Sequence, residues 1–433
     1  MTEAAYVFPN AAVASPHFLA TSAGVHVLRS GGNAVDAAVA TNLVLAVVCP
    51  HLCGVGGDLL AMVFTGGKVH GLNSSGRLPQ AAELPPDGEV PTFGIGSATV
   101  PGAVAGWLAM LERFGTMPIA ELAAPAMKYA TDGFFPSPGL GESLKRSAPL
   151  LGQDKEAARL FLGEWPLRNP ELAETLMELP SFYMGKVAQQ APQPFTPADF
   201  AAHRAEWVEP LHHPFQEVEV YEMPPNSRGH LVLEALKRME PLDGLSPDEP
   251  EFHLRMMRAI DAATLSGDTV YLCAVDEDGM AVSVNESNYM GFGSGVAIPG
   301  TGVHLHNRGA YLTPATYKGG ARPVHTLSPA MALKDGLPHL IFGTMGGEAQ
   351  IQIHLQLLAR VLIAGEDPLA AVSAPRWVKP VKGPYLAEEG LPELGAQTIT
   401  RSSIAGHAHM IARAVGGWAA ASDPRCDGLA LGY

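Results

Sequence analysis

The chain has 433 residues, 47% hydrophobic and 16% charged, which is enough apolar material for a substantial buried core and not the composition of a disordered or fibrous chain. Its formal net charge is -15 and no basic run exceeds a couple of residues, which speaks against a nucleic-acid partner, since phosphate neutralisation needs Lys and Arg. Four cysteines are too few for a disulfide framework.

The opening residues MTEAAYVFPN lack the positive and apolar regions of a secretory signal, so a cytoplasmic location is expected. Ser15 is placed to cap a first helix, with Pro16 at its first position and Gly31-Gly32 as its stop. A second helix is expected over Ala34 to Val48, apolar nearly all round and therefore central. Its apolar stretch, Ala37 to Val48, is too short to span a bilayer, so no membrane partner is expected. Cys49, His51 and Cys53 follow closely, but no second ligand pair stands at zinc-like spacing; they read as core packing, not as a metal site.

Gly54-Val55-Gly56-Gly57 leads into a strand rather than out of one, the wrong order for a dinucleotide fingerprint. Leu59 to Phe64 and Val69 to Leu72, joined at Gly66-Gly67, read as a hairpin. The stretch 100–262 reads as mostly helical. From Thr269 to Val275 the residues are strand-like, Asp276 to Gly279 is a turn, and Met280 to Val284 is the return strand. A second pair is expected at Pro329 to Leu333 and Pro338 to Phe342. Gly343 to Gly347 then leads into an amphipathic helix over Ala349 to Ala364. Recurring hairpins with flanking helices predict a layered α/β architecture, not a doubly wound parallel sheet.

Two features could carry chemistry. Gly346 and Gly347 lie between a strand and a helix start, where backbone N–H groups lack internal partners and no side chain blocks a developing oxyanion. Thr269 begins a strand after Leu265-Ser266-Gly267-Asp268. By itself such a Thr is commonplace; its surroundings are not.

Asp268 to Gly302, DTVYLCAVDEDGMAVSVNESNYMGFGSGVAIPGTG, resembles the small-subunit start of the gamma-glutamyltransferase family of N-terminal-nucleophile hydrolases. SGGNAVDAAVATNLVL from Ser30, ATVPGAVAGW from Ala98, Arg322-Pro323 through Ser328-Pro329, Gly343 to Gly347, and the Asp423-Pro424-Arg425 tail are similar to further family segments, in the family's order. The resemblance implies a four-layer αββα sandwich made as one precursor, cut between Asp268 and Thr269. Residues 1–268 would form the large-subunit part and 269–433 the small, together one domain. Thr269 would be the nucleophile, its freed α-amine the base, so no cofactor is implied. Ser287 falls where the family has a hydroxyl beside the nucleophile, Gly346 and Gly347 on its oxyanion loop. Arg77 is the candidate to grip a substrate carboxylate.

The family's typical substrate-recognition set is changed here. Tyr289 stands at its Asn position, Arg308 at its Gln position, Gly309 and Ala310 where an Asp is expected, and His325 and Thr326 at its Ser-Ser pair. Without the acidic partner an α-ammonium group is poorly matched, and Arg308 repels it. Arg77, Arg308 and His325 together favour an anionic acyl group, and the pattern is closer to amidohydrolases and acylases than to glutathione-cleaving transpeptidases. The chain is also short for the family, mainly before Thr269. The expected partners are a small-molecule amide, the two cleaved chains bound to each other, and a homodimer as an open alternative. The competing reading is a non-catalytic relative that binds a small anion without self-cleavage.

Overall fold

The computed structural model describes residues 4–260, 270–347, 349–380 and 382–433. Among them, two seven-stranded sheets pack face to face. In spatial order the first runs Leu429–Gly432, Ala12–Ser15, Val270–Val275, Ala281–Ser287, Asp58–Thr65, Lys68–Ser74, Glu206–Val208. The second runs Tyr6–Phe8, Gly417–Ser422, His407–Ala414, Leu337–Met345, Ala330–Lys334, Val218–Glu222, Leu211–Phe215. Neighbouring strands in both are antiparallel. Each sheet draws strands from both sides of position 269.

The two-residue period of a strand explains the layering. Leu59, Ala61 and Val63 face the helices Phe18–Arg29, Ala34–Val48 and Ala103–Phe114, whereas Leu60, Met62 and Phe64 face the other sheet. There they meet Met331, Ile341 and Ile411. His230–Arg238, Pro250–Ile260 and Ala349–Leu362 cover the far face of the second sheet. The result is the expected αββα sandwich.

Helix Ala34–Val48 keeps its expected bounds and is buried along its whole length. Asn33 caps it: the Asn33 side chain accepts from Asp36 N–H, and the Asp36 carboxylate accepts from Asn33 N–H. The first helix departs from expectation. It begins at Phe18 with His17 as its cap, while the Ser15 hydroxyl is turned inward against Thr21. The hairpin is Asp58–Thr65 with Lys68–Ser74, and the return strand runs on to Ser287. The larger error lies in the middle of the chain. Glu206–Val208, Leu211–Phe215 and Val218–Glu222 are strands, not helix. Glu206–Val208 and Leu211–Phe215 are edge strands, where a missing N–H donor such as that of Pro214 is tolerated, and Val218–Glu222 lies between Leu211–Phe215 and Ala330–Lys334.

No described helix is long and apolar enough to cross a membrane. No described group of His, Cys, Asp and Glu is arranged to hold a metal ion. Cys49 and Cys53 lie buried at the end of helix Ala34–Val48, where burial first, and nearby acidic groups second, push both thiols well up.

Six buried histidines make a stability prediction. Burial is the leading cause that lowers His17, His304 and His407 to about 4, and His51, His325 and His409 to about 3. Each is neutral when folded, yet takes up a proton near pH 6.5 when unfolded. The unfolded chain then binds more protons, so stability rises with pH through this window and is lost as pH falls from about 6.5 towards 4. Thermal unfolding followed from pH 7.5 to 5 should show a steep fall in Tm. A Tm that holds or rises towards pH 5 contradicts the neutral-histidine account.

Candidate active site

The site is built where strand ends of the two sheets meet. Asp58 pairs with Ser287, Val270 with Glu286 and Met345 with His407, so these ends lie together at one edge of the sandwich. Thr269 lies outside the described residues; Val270, next to it, is the first residue of its strand. One buried side chain ties this end together. Asn285 Nδ2 donates to the Val270 carbonyl at 3.0 Å and to the Thr344 carbonyl at 3.2 Å, and Asn285 Oδ1 accepts from Ser328 N–H at 3.2 Å. It links the strand after Thr269 to the strand before Gly346. Sequence reading missed this residue, since nothing local distinguishes it within AVSVNES.

Gly346 and Gly347 connect strand Leu337–Met345 to helix Ala349–Leu362. Their φ angles of 137° and 57° fall where L side chains rarely go. A Cβ on Gly346 would lie 3.2 Å from the Gly406 Cα, so the pair is backed by another stretch of backbone. That backing is fixed by a buried ion network, also missed from sequence. Arg376 Nη1 donates to the Ala405 and Gly406 carbonyls at 3.0 and 3.2 Å, and its Nη2 pairs with Asp423 at 2.7 Å. Asp423 also accepts from Ala408 N–H at 2.8 Å and pairs with Arg425 at 3.0 Å; Arg425 pairs in turn with Glu388. Burial would raise the Asp423 carboxyl, but the two guanidiniums outweigh it and hold it at about 2. The Asp423-Pro424-Arg425 tail is thus a brace for the glycine turn.

Ser287, the last residue of its strand, is fully buried, and its Oγ accepts from Tyr289 N–H at 2.8 Å. Tyr289 has φ 75°, which turns its ring beneath the Arg308 guanidinium at 4.3 Å. Arg308 is fully buried and donates from Nη1 to Thr326 Oγ1 at 3.2 Å. The neighbouring His325 donates from Nε2 to Asp58 Oδ2 at 2.9 Å. Asp58 also accepts from Gly76 N–H at 3.0 Å and faces His306 at 3.8 Å, and His306 bonds Thr99. Burial alone would raise the Asp58 carboxyl; His306, His325 and the Gly76 N–H hold it well below the usual range. Burial first, then the Arg308 charge, keeps His325 neutral. Ser287, Tyr289, Arg308, Thr326 and His325 are therefore brought together. Sequence reading missed Asp58, which accepts from His325 and from the Gly76 N–H in this cluster.

Arg77 sits apart from that cluster. It is exposed, with Nη1 3.4 Å from the Gly320 carbonyl, at a cavity of about 440 Å³ shared with Ser75, Arg204, Glu206 and Arg322. Arg322 is committed to Glu206, Asn73 and Ser75, which leaves Arg77 and Arg204 as the other cations lining it.

The family model for gamma-glutamyltranspeptidase matches residues 20–265 and 245–433. The chain belongs to this family. It is an enzyme of the N-terminal-nucleophile hydrolase type. A glutathione hydrolase-like YwrD proenzyme of Bacillus subtilis is 33% identical over 84% of this chain and 84% of its own length. An oxamate amidohydrolase proenzyme of Klebsiella pneumoniae is 31% identical over 97% of this chain and 98% of its own. A cephalosporin acylase from Bacillus halodurans superposes with a TM-score of 0.92 at 29% identity, covering 100% of this chain and 97% of that one.

Proposed function

We propose that this family member cuts itself between Asp268 and Thr269 and then hydrolyses amides of a small anionic acyl group. In the first step the Thr269 hydroxyl attacks the Asp268 carbonyl carbon. The C–N bond breaks, the amine is freed and an ester remains, which water hydrolyses. The freed α-amine, with an ordinary pKa of about 7.7–8.0, then takes the hydroxyl proton as Thr269 attacks a substrate amide. That proton passes to the leaving amine, and water releases the acyl group from the ester. Gly346 and Gly347 offer their N–H groups to the developing oxyanion.

One observation carries the substrate class. Arg308 is buried on Tyr289 at the place where the sequence resemblance puts α-amino recognition. A positive charge there opposes an ammonium and tolerates a neutral or anionic acyl chain. Arg77, exposed on its cavity, is the group to take the far carboxylate of that chain. The kinship with an oxamate amidohydrolase and a cephalosporin acylase supports the same class. The test is kcat/KM for glutaryl, oxamate and gamma-glutamyl amides: the first two are expected to exceed the gamma-glutamyl amide. A clear preference for gamma-glutamyl overturns the reading of Arg308.

Ser287 belongs to this proposal as the hydroxyl that supports the nucleophile. Ser287→Ala should slow both self-cleavage and turnover by about tenfold or more, the range of one lost hydrogen bond to a charged or reacting group. Incubation time courses on denaturing gels and steady-state rates check the two steps separately; a variant unchanged in both removes Ser287 from the mechanism.

A further inference from the structure

A second and larger cavity, about 930 Å³, opens at the same edge of the sandwich. Met345, immediately before the glycine pair, and Met290, immediately after Tyr289, both line it, so it borders the proposed reaction centre. Its other walls include Pro16 and Asp427, which adjoin strands Ala12–Ser15 and Leu429–Gly432. The Arg77 cavity instead adjoins strands Lys68–Ser74 and Glu206–Val208. In the first sheet the Val270–Val275 strand lies between these two pairs. The strand that follows Thr269 thus has one cavity on each side.

Phe93, Met290 and Met345 give the large cavity an apolar lining. Two of its buried polar groups are uncommitted. His51 and His407 are each 8% exposed, and neither His51 Nδ1 nor either His407 nitrogen has a hydrogen-bond partner among the described residues. Buried imidazole nitrogens in that state are costly unless something else meets them. Arg146, exposed on helix Pro138–Leu151, also lines the cavity. It makes no ion pair among the described residues, although Glu142 stands one turn before it. Its positive charge adds to the burial that keeps His51 neutral. The acidic Asp427 is already engaged, with Oδ2 accepting from Gly139 N–H at 3.3 Å.

Resting on the proposed amide hydrolysis, we infer that this cavity receives the leaving amine, and that the amine it fits best carries an apolar body and a carboxylate. Arg146 takes the carboxylate, the neutral imidazoles of His51 and His407 offer hydrogen bonds to polar atoms on the body, and the apolar lining covers the rest. The acyl group occupies the opposite cavity at Arg77. Substrate is thereby laid across the start of the Val270 strand.

The test holds the acyl group constant and varies the amine. Processed protein is given glutaryl-phenylalanine and glutaryl-phenethylamide, which differ only in the leaving group's carboxylate, with glutaryl-p-nitroanilide as an independent monitor of amidase activity. Wild type should favour the carboxylate-bearing amide by about tenfold or more in kcat/KM, as one charge-assisted pairing predicts. Arg146→Gln should bring that ratio towards one. A wild-type ratio near one, or a ratio undiminished in Arg146→Gln, overturns the assignment while leaving the amidase reading in place. Processed protein that hydrolyses none of the three overturns the amidase reading and this inference with it.

Discussion

Thr269→Ala should yield a single 45.5 kDa chain that never divides and has no measurable amidase activity. The expectation follows from one hydroxyl serving two reactions. Without it there is no attack on the Asp268 carbonyl, so the α-amine that would serve as base is never freed. Nucleophile and base are lost together, and removal of such a unit costs on the order of 10⁴-fold or more in turnover. Thr269→Ser separates the roles: it keeps the hydroxyl and should still be processed, though more slowly. Denaturing mass spectrometry and a chromogenic amide assay check both variants. An uncut Thr269→Ala protein that is fully active would mean that some other residue is the nucleophile.

Asp423→Ala should be the most damaging change away from the nucleophile. Asp423 is 1% exposed and pairs with two guanidiniums, those of Arg376 and Arg425, while accepting the Ala408 N–H. Removing it leaves Arg376, 2% exposed, without its carboxylate, and removing one partner of a buried pair costs about 3–5 kcal/mol. The damage should spread to the site, because Arg376 also holds the carbonyls of Ala405 and Gly406 against the glycine turn. The measurable outcome is a markedly lower denaturation midpoint, together with a loss of kcat in whatever protein remains folded. A variant of wild-type stability and kcat would show that the brace is dispensable.

The parts of this protein legible in its sequence are those written in local pattern. Helix Ala34–Val48 shows as an apolar run that halts before Pro50, and the hairpins show through Gly66-Gly67 and Asp278-Gly279. The edge strands Glu206–Val208 and Leu211–Phe215 do not show. Their residues satisfy only half a sheet's demands, so they lack the Val- and Ile-rich signature of a central strand. The layered architecture was legible through alternation, as in Leu59 to Phe64, whose successive side chains enter different cores.

The site divides in the same way. The glycine pair and the Ser287–Tyr289 segment are contiguous motifs and could be placed from sequence. The Asp58–His325 contact joins residues 267 apart, and the Arg376–Asp423 brace joins residues from a loop and a tail. Such contacts leave no mark on either local sequence. Arg308 illustrates the same limit: its charge is plain in the sequence, but its stacking on Tyr289 depends on a positive φ at an aromatic residue, which no propensity predicts. Asn285, which ties the start of the Val270 strand to Thr344, looks in sequence like any strand-borne Asn.

The central claim is that Thr269 becomes an N-terminus, and the intact mass of purified wild-type protein under denaturing conditions tests it most directly. The account predicts two chains, residues 1–268 and 269–433, the second beginning with Thr. A single 45.5 kDa chain that stays uncut on long incubation would contradict it.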